Sequence, residues 1–123
     1  MSLEHEALTE KIISAAIEVH RRLGQGFLES IYEKALVVEL GKRGLAVERQ
    51  QELIIEYDGV EVGRHVLDLF VENTIIVELK AIKNIEDVHF AIVRSYLRAA
   101  GHKHALILNF TKITLEIKRV IAS

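Results

Sequence analysis

Three residues near the middle of the chain, Asp68, Glu78 and Lys80, have the types and spacing that metal-assisted cleavage of a phosphodiester needs. They lie in two apolar runs, Val66-Leu-Asp-Leu-Phe-Val71 and Ile75-Ile-Val-Glu-Leu-Lys80, joined by the polar turn Glu72-Asn73-Thr74. Side chains alternate faces along a strand, so Val66, Asp68 and Phe70 share one face, as do Ile76, Glu78 and Lys80. With the turn centred on Asn73, residues whose numbers sum to 146 stand opposite each other. Asp68 and Glu78 are then a cross-strand pair with Cβ atoms ~4.5–5.5 Å apart, and Lys80 lies two residues further along.

Two carboxylates in that relation repel, and their apolar neighbours make the repulsion costly. Either a cation joins them or one pKa rises. Mg²⁺, or Mn²⁺ in its place, suits such a site because it takes hard oxygen ligands and keeps several waters. It would polarise a phosphoryl oxygen and help form a hydroxide nucleophile, with Lys80 orienting the water or meeting the developing negative charge. The competing reading is a solvated face on which Lys80 makes an ordinary ion pair. The spacing D-x9-E-x-K does not choose between them alone.

The elements that must position these residues are legible from periodicity. Residues 4–22 carry Leu8, Ile12, Ala15, Ala16 and Val19 at helical spacing, and Gly24 and Gly26 break the pattern. A second helix is expected over about 28–43, stopped by Gly44. Val47 to Tyr57 and Val60 to Val71 read as strands around the hairpin signal Asp58-Gly59. A third strand covers 75–80, and a helix over 85–100 carries Ile85, Val88, Ile92, Tyr96 and Leu97 on one stripe. Strands at 104–109 and 113–118 complete the order ααβββαββ, an α/β (α+β) mixed sheet with flanking helices.

The chain's 123 residues, half of them apolar and without a linker-like tract, are read as a single domain, 1–123. There is no Cys, which excludes disulfides, thiolate metal sites and a cysteine nucleophile, and fits a reducing cytoplasm. No run approaches a membrane span, so no membrane partner is expected. Met1-Ser2-Leu3 precedes the amphipathic pattern and reads as an expression remnant. Sixteen basic against eighteen acidic residues give a net charge of −2. Any nucleic-acid contact must then come from a local basic face or from metal ions.

At Asp68, Glu78 and Lys80 the chain resembles the PD-(D/E)XK nuclease superfamily, with its mixed, restriction-endonuclease-like sheet and an Asp…Glu-x-Lys signature on adjacent strands. Gly26-Phe-Leu-Glu29-Ser-Ile-Tyr32 is similar to the pattern that names the GxxExxY family within it. The likeness extends through Val19-His20, Asp68-Leu-Phe-Val71, Val77-Glu-Leu-Lys-Ala81, Val88-His89, Tyr96-Leu97, Asn109-Phe110 and Lys118-Arg119. It implies that Asp68 and Glu78 are metal ligands, Lys80 the catalytic lysine and Glu29 a further acid from a helix. Nucleic acid, DNA or RNA, is the implied substrate. Ile92 stands where the family often has Gln, which motivates a second reading: a catalytically impaired binding or assembly module on the same fold.

The residues themselves leave alternatives open. Glu29 falls in a first helical turn, where a carboxylate favourably meets the helix dipole. Tyr32 shares its helix face and serves equally as packing. Tyr32 and His89 are accessory candidates, and a lone helix His is more often structural. His102 and His104 share a face if they lie on a strand, but lack further ligands. Gly24-Gln-Gly26 is too short to bind a nucleotide cofactor. His20, Arg21 and Arg22, or Arg94, Arg98 and Lys103, would form basic edges, and a homodimer is the simplest way to cut both strands of a duplex.

Overall fold

The computed structural model describes residues 5–122. Met1-Ser2-Leu3 and the expected helix start at residue 4 lie outside them. The elements are α1 (Glu6–Leu23), α2 (Glu29–Lys42), β1 (Val47–Tyr57), β2 (Val60–Val71), β3 (Ile75–Lys80), α3 (Asp87–Ala100), β4 (His104–Asn109) and β5 (Glu116–Ile121). Their order is the expected ααβββαββ.

The five strands form one mixed sheet in the order β1-β2-β3-β4-β5. Neighbours are antiparallel except β3 and β4, which run parallel. A parallel pair needs a crossover, and α3 provides it. Asp58 and Gly59 have φ of 51° and 76°, both left-handed, as a tight two-residue hairpin requires. At the next turn Glu72 and Asn73 have φ of 52° and 50°. This sets the register Leu69↔Val77, Phe70↔Ile76 and Val71↔Ile75, the one the turn centred on Asn73 dictates.

Two apolar layers sandwich the sheet. On one side Ile12, Ala16 and Val19 of α1 and Leu36 and Leu40 of α2 pack on Leu69, Val71, Val77 and Leu79. On the other, Val93 and Leu97 of α3 pack on Leu67, Phe70, Ile76 and Ile107. Central strand β3 is covered on both faces, which explains its unbroken apolar run. Among the described residues no helix is long and apolar enough to cross a membrane.

Three expectations need correction. The last strand begins at Glu116, three residues later than expected, because Ile113 is 85% exposed and belongs to the preceding loop. The expected α3 stripe holds at Ile85, Tyr96 and Leu97 and gains Val93, but Val88 is exposed and Ile92 is 42% exposed, so burial does not account for Ile92. Strict alternation also fails along β2, where Leu67 joins the α3 layer but Leu69 joins the opposite one. The switch falls at Asp68. Across from it Gln50 adopts φ 58°, and the β1–β2 pairing skips from Arg49↔Leu69 to Gln51↔Leu67. Val66 and Phe70, expected on one face, are accordingly exposed and buried.

Candidate active site

The face switch is what frees Asp68 from ordinary strand packing. The β2–β3 ladder closes at Leu69↔Val77, one pair short of Asp68 and Glu78. There the Asp68 carboxylate replaces a backbone acceptor: its Oδ2 takes the Leu79 N–H at 2.9 Å. The strands fork at this point, and a cavity of about 220 Å³ opens between them and α2, lined by Glu29, Glu33, Gln50 and Asp68.

Glu78 is 4% exposed, and its buried Oε1 has no hydrogen-bond partner among the described residues. Burial, and then the adjacent Asp68 carboxylate, push its pKa up to about 9, against a smaller opposing pull from Lys80. At neutral pH the bare pair therefore holds a proton, as two close carboxylates in a poorly solvated place must. Lys80 is half-buried and makes no ion pair among the described residues, contrary to the solvated-pair reading. Two crowded carboxylates, one with an orphaned oxygen, make a donor set that fits a hard divalent cation.

His65 is the site neighbour that the sequence did not disclose. Its Nε2 lies 3.7 Å from Glu78 Oε1, too far for a hydrogen bond, and among the described residues neither atom has a hydrogen-bond partner. Tyr96 of α3 stacks on its ring with centroids 3.7 Å apart, so α3 fixes the imidazole against the acid. Burial holds the His65 pKa below its ordinary value, opposed by Asp68 and supported by Lys80. Burial, with Glu78 and Asp68, raises that of Tyr96. These shifts place all five groups in one electrostatic neighbourhood.

Glu29 is adjacent but not convergent. It is the exposed first residue of α2, and its Oε2 accepts the Ala81 N–H at 3.2 Å, tying the helix to the chain just after Lys80. Among the described residues no group of three His, Asp or Glu side chains gathers closely enough to hold a metal ion. The structure thus brings Asp68 and Glu78 together and leaves Glu29 on the cavity rim. One turn after Glu29, buried Glu33 accepts from Gln50 Nε2 at 2.6 Å and lies 3.5 Å from Arg49 Nε. The Glu29/Glu33 spacing of one helical turn was the available signal for it.

A family model describing the PD-(D/E)XK nuclease superfamily matches residues 6–120. The chain belongs to that superfamily. No curated protein and no solved structure matches it. Nucleases of the PD-(D/E)XK superfamily generally use divalent metal ions, in keeping with the donor set at Asp68 and Glu78.

Several residues of this PD-(D/E)XK chain brace the site. Tyr32 is buried; its hydroxyl donates to the Gly24 carbonyl at 2.6 Å and accepts from Phe27 N–H at 3.2 Å, while its ring stacks on Phe110. It holds the loop that delivers Glu29. His89 is engaged locally too, since its Nδ1 accepts the Glu86 N–H at 2.8 Å and so caps α3. Asn109, 0% exposed, pairs with Lys80 in register and clamps the segment beyond it: Oδ1 accepts from Ile82 N–H, and Nδ2 donates to the Ile82 carbonyl and Glu116. Of the other candidates, His20 is buried against Lys112 and Phe110, Arg21 pairs with Glu18, and Arg22 with Glu39. Arg94 lies over the Phe90 ring. His102 precedes β4 and packs on Phe70, while His104 starts that strand, so the expected shared face is absent.

Proposed function

We propose that this chain is a metal-dependent nuclease of the GxxExxY type that hydrolyses phosphodiester bonds in DNA or RNA, with Mg²⁺ or Mn²⁺ held by Asp68 and Glu78. The observation that carries this reading is the forked strand pair, which crowds two carboxylates and, among the described residues, leaves a buried Glu78 oxygen without a hydrogen-bond partner beside a Lys80 without an ion pair. A divalent ion there supplies Lewis-acid polarisation of a phosphoryl oxygen and acidifies water. Asp68, fixed by the Leu79 amide, holds its carboxylate in one orientation. Glu78, the protonated member of the bare pair, would hold the cation as a carboxylate beside Asp68. Lys80 directs positive charge at the negative charge that builds on the phosphoryl group. Glu29, anchored on Ala81 N–H, acts from the rim of the same cavity.

The chain is read as one domain acting in the cytoplasm, and as a two-fold homodimer where both strands of a duplex are cut. One observation favours an impaired, binding-only module instead: Ile92 is an exposed apolar side chain on α3 where a polar group is often found in the family. Assays of DNA and RNA cleavage with Mg²⁺ and Mn²⁺ separate the readings. A nuclease cleaves at least one substrate, and Asp68→Ala and Glu78→Ala each abolish cleavage. No cleavage by the parent, together with no divalent affinity, sinks the nuclease reading.

A further inference from the structure

The acid cavity has a larger neighbour. An open cleft of about 790 Å³ lies on the other side of Glu29, between the loop leading into α2 and the segment after β4. That volume is within the ~300–1,000 Å³ common for small-molecule pockets. Its floor is the Tyr32 ring stacked on Phe110, with centroids 4.5 Å apart. Phe27, 44% exposed, stands edge-on to Tyr32, and Leu28, 73% exposed, extends the apolar wall. Large apolar side chains held this open by tight hydrogen bonds of the loop are costly to leave in water. Gln25 spans from the loop to the Thr111 carbonyl.

Charge selects the occupant. Among the described residues no Lys or Arg lines the cleft, and Glu29 borders it, so phosphate groups are disfavoured inside. A neutral planar group is not. Glu29 and Ser30 line both this cleft and the Asp68 cavity, so the two adjoin, and the uncharged end of a nucleotide whose phosphate sits at Asp68 has this cleft as its neighbour. Bases in an intact duplex are already stacked, whereas an unpaired base presents a free face to an aromatic side chain.

We infer that this cleft receives an unpaired nucleobase next to the scissile phosphate, which makes single-stranded or frayed nucleic acid the preferred substrate. The inference rests on the nuclease reading and deepens it. Phe27 is the stacking platform, Leu28 the second apolar contact and Tyr32 the positioning residue that holds both through the loop.

The test uses full-length protein in the Lys80→Met background with Ca²⁺, so that binding is measured without turnover. The probes are a twelve-nucleotide oligothymidylate containing one 2-aminopurine, and its duplex. Expected are at least tenfold tighter binding of the single strand, quenching of 2-aminopurine on stacking, and about tenfold loss of that affinity in Phe27→Ala. Duplex binding should not change. Leu28→Ser, at a more exposed position, should weaken single-strand binding in the same direction. Equal affinity for both probes, no binding of either, or no effect of both substitutions overturns the inference. So does Phe27-dependent self-association without single-strand binding. Cleavage of the same oligonucleotides by the parent with Mg²⁺ reads the nuclease proposal separately: cleavage without a Phe27 effect removes only the cleft, and Phe27-dependent binding without cleavage leaves the cleft standing.

Discussion

At the scale of single residues, Glu78 is the group whose environment departs furthest from water. Its folded pKa, about 9, lies above the ordinary carboxylate value near 4.5, so folding favours the protonated form. Stability from this group is full below the unfolded pKa and is lost as pH rises toward 9. The metal-free protein should therefore show a falling Tm between about pH 5 and 9, measured in chelator. Glu78→Gln should flatten that profile and exceed the parent's Tm at pH 8. Saturating Mg²⁺ should flatten the parent's profile as well, because the ion replaces the proton. Lys80→Met should lower turnover by about 10²–10³-fold, the usual cost of one charge-stabilising donor, while leaving the carboxylate pair able to bind metal. The nearness of Asp68 to Glu78 was legible because the turn centred on Asn73 fixes the β2–β3 register locally, whereas strand parity fails at Asp68, where the face switches. His65 was not, because its approach to Glu78 depends on the face switch at Asp68 and on Tyr96 arriving from α3.

At the scale of elements, the site depends on how firmly two loops are tied to the sheet. Tyr32 fastens the loop before α2, and Asn109 fastens the segment after β3. Tyr32→Phe keeps the ring stack but leaves the Gly24 carbonyl and Phe27 N–H short of a partner, at a cost of about 1–3 kcal/mol. A Tm drop of roughly 4–12 °C with an otherwise native spectrum is expected. Asn109→Ala removes partners from partly buried backbone groups of Ile82 and should destabilise by about 1–3 kcal/mol in urea melts, with m unchanged. Most elements were readable because their glycines and apolar periods agree with the fold. Where apolar residues are exposed the reading slipped: Ile113 drew the last strand forward, and Val88 and Ile92 were counted into a stripe that Ile85, Tyr96 and Leu97 do form. Exposed apolar side chains carry no mark in one sequence that separates them from core.

For the whole molecule, a net charge of −2 and basic residues already paired with Glu18 and Glu39 leave little bulk attraction for a polyanion. Nucleic-acid affinity should then depend on the divalent ion more than on surface lysines. Anisotropy titrations are expected to show weak binding in chelator, a clear gain with Ca²⁺, and a salt slope corresponding to only a few phosphate contacts. Superfamily membership and a mixed sheet with flanking helices were visible in ordered motifs along the chain. Glu29, the further acid the resemblance implies, borders the same cavity as Asp68, but among the described residues no three acidic or His side chains gather to hold a metal ion. Its carboxylate is committed to the Ala81 amide, a contact between distant segments that no local pattern announces.

The central claim is that the fork between β2 and β3 is a divalent-cation site. Isothermal titration of Mn²⁺ into the metal-free protein at several pH values tests it most directly. The account predicts one saturable site per chain, proton release on binding that Glu78→Gln eliminates, and loss of the site in Asp68→Asn. A protein that binds no Mn²⁺, or binds it equally well in Asp68→Asn and Glu78→Gln, would contradict the account.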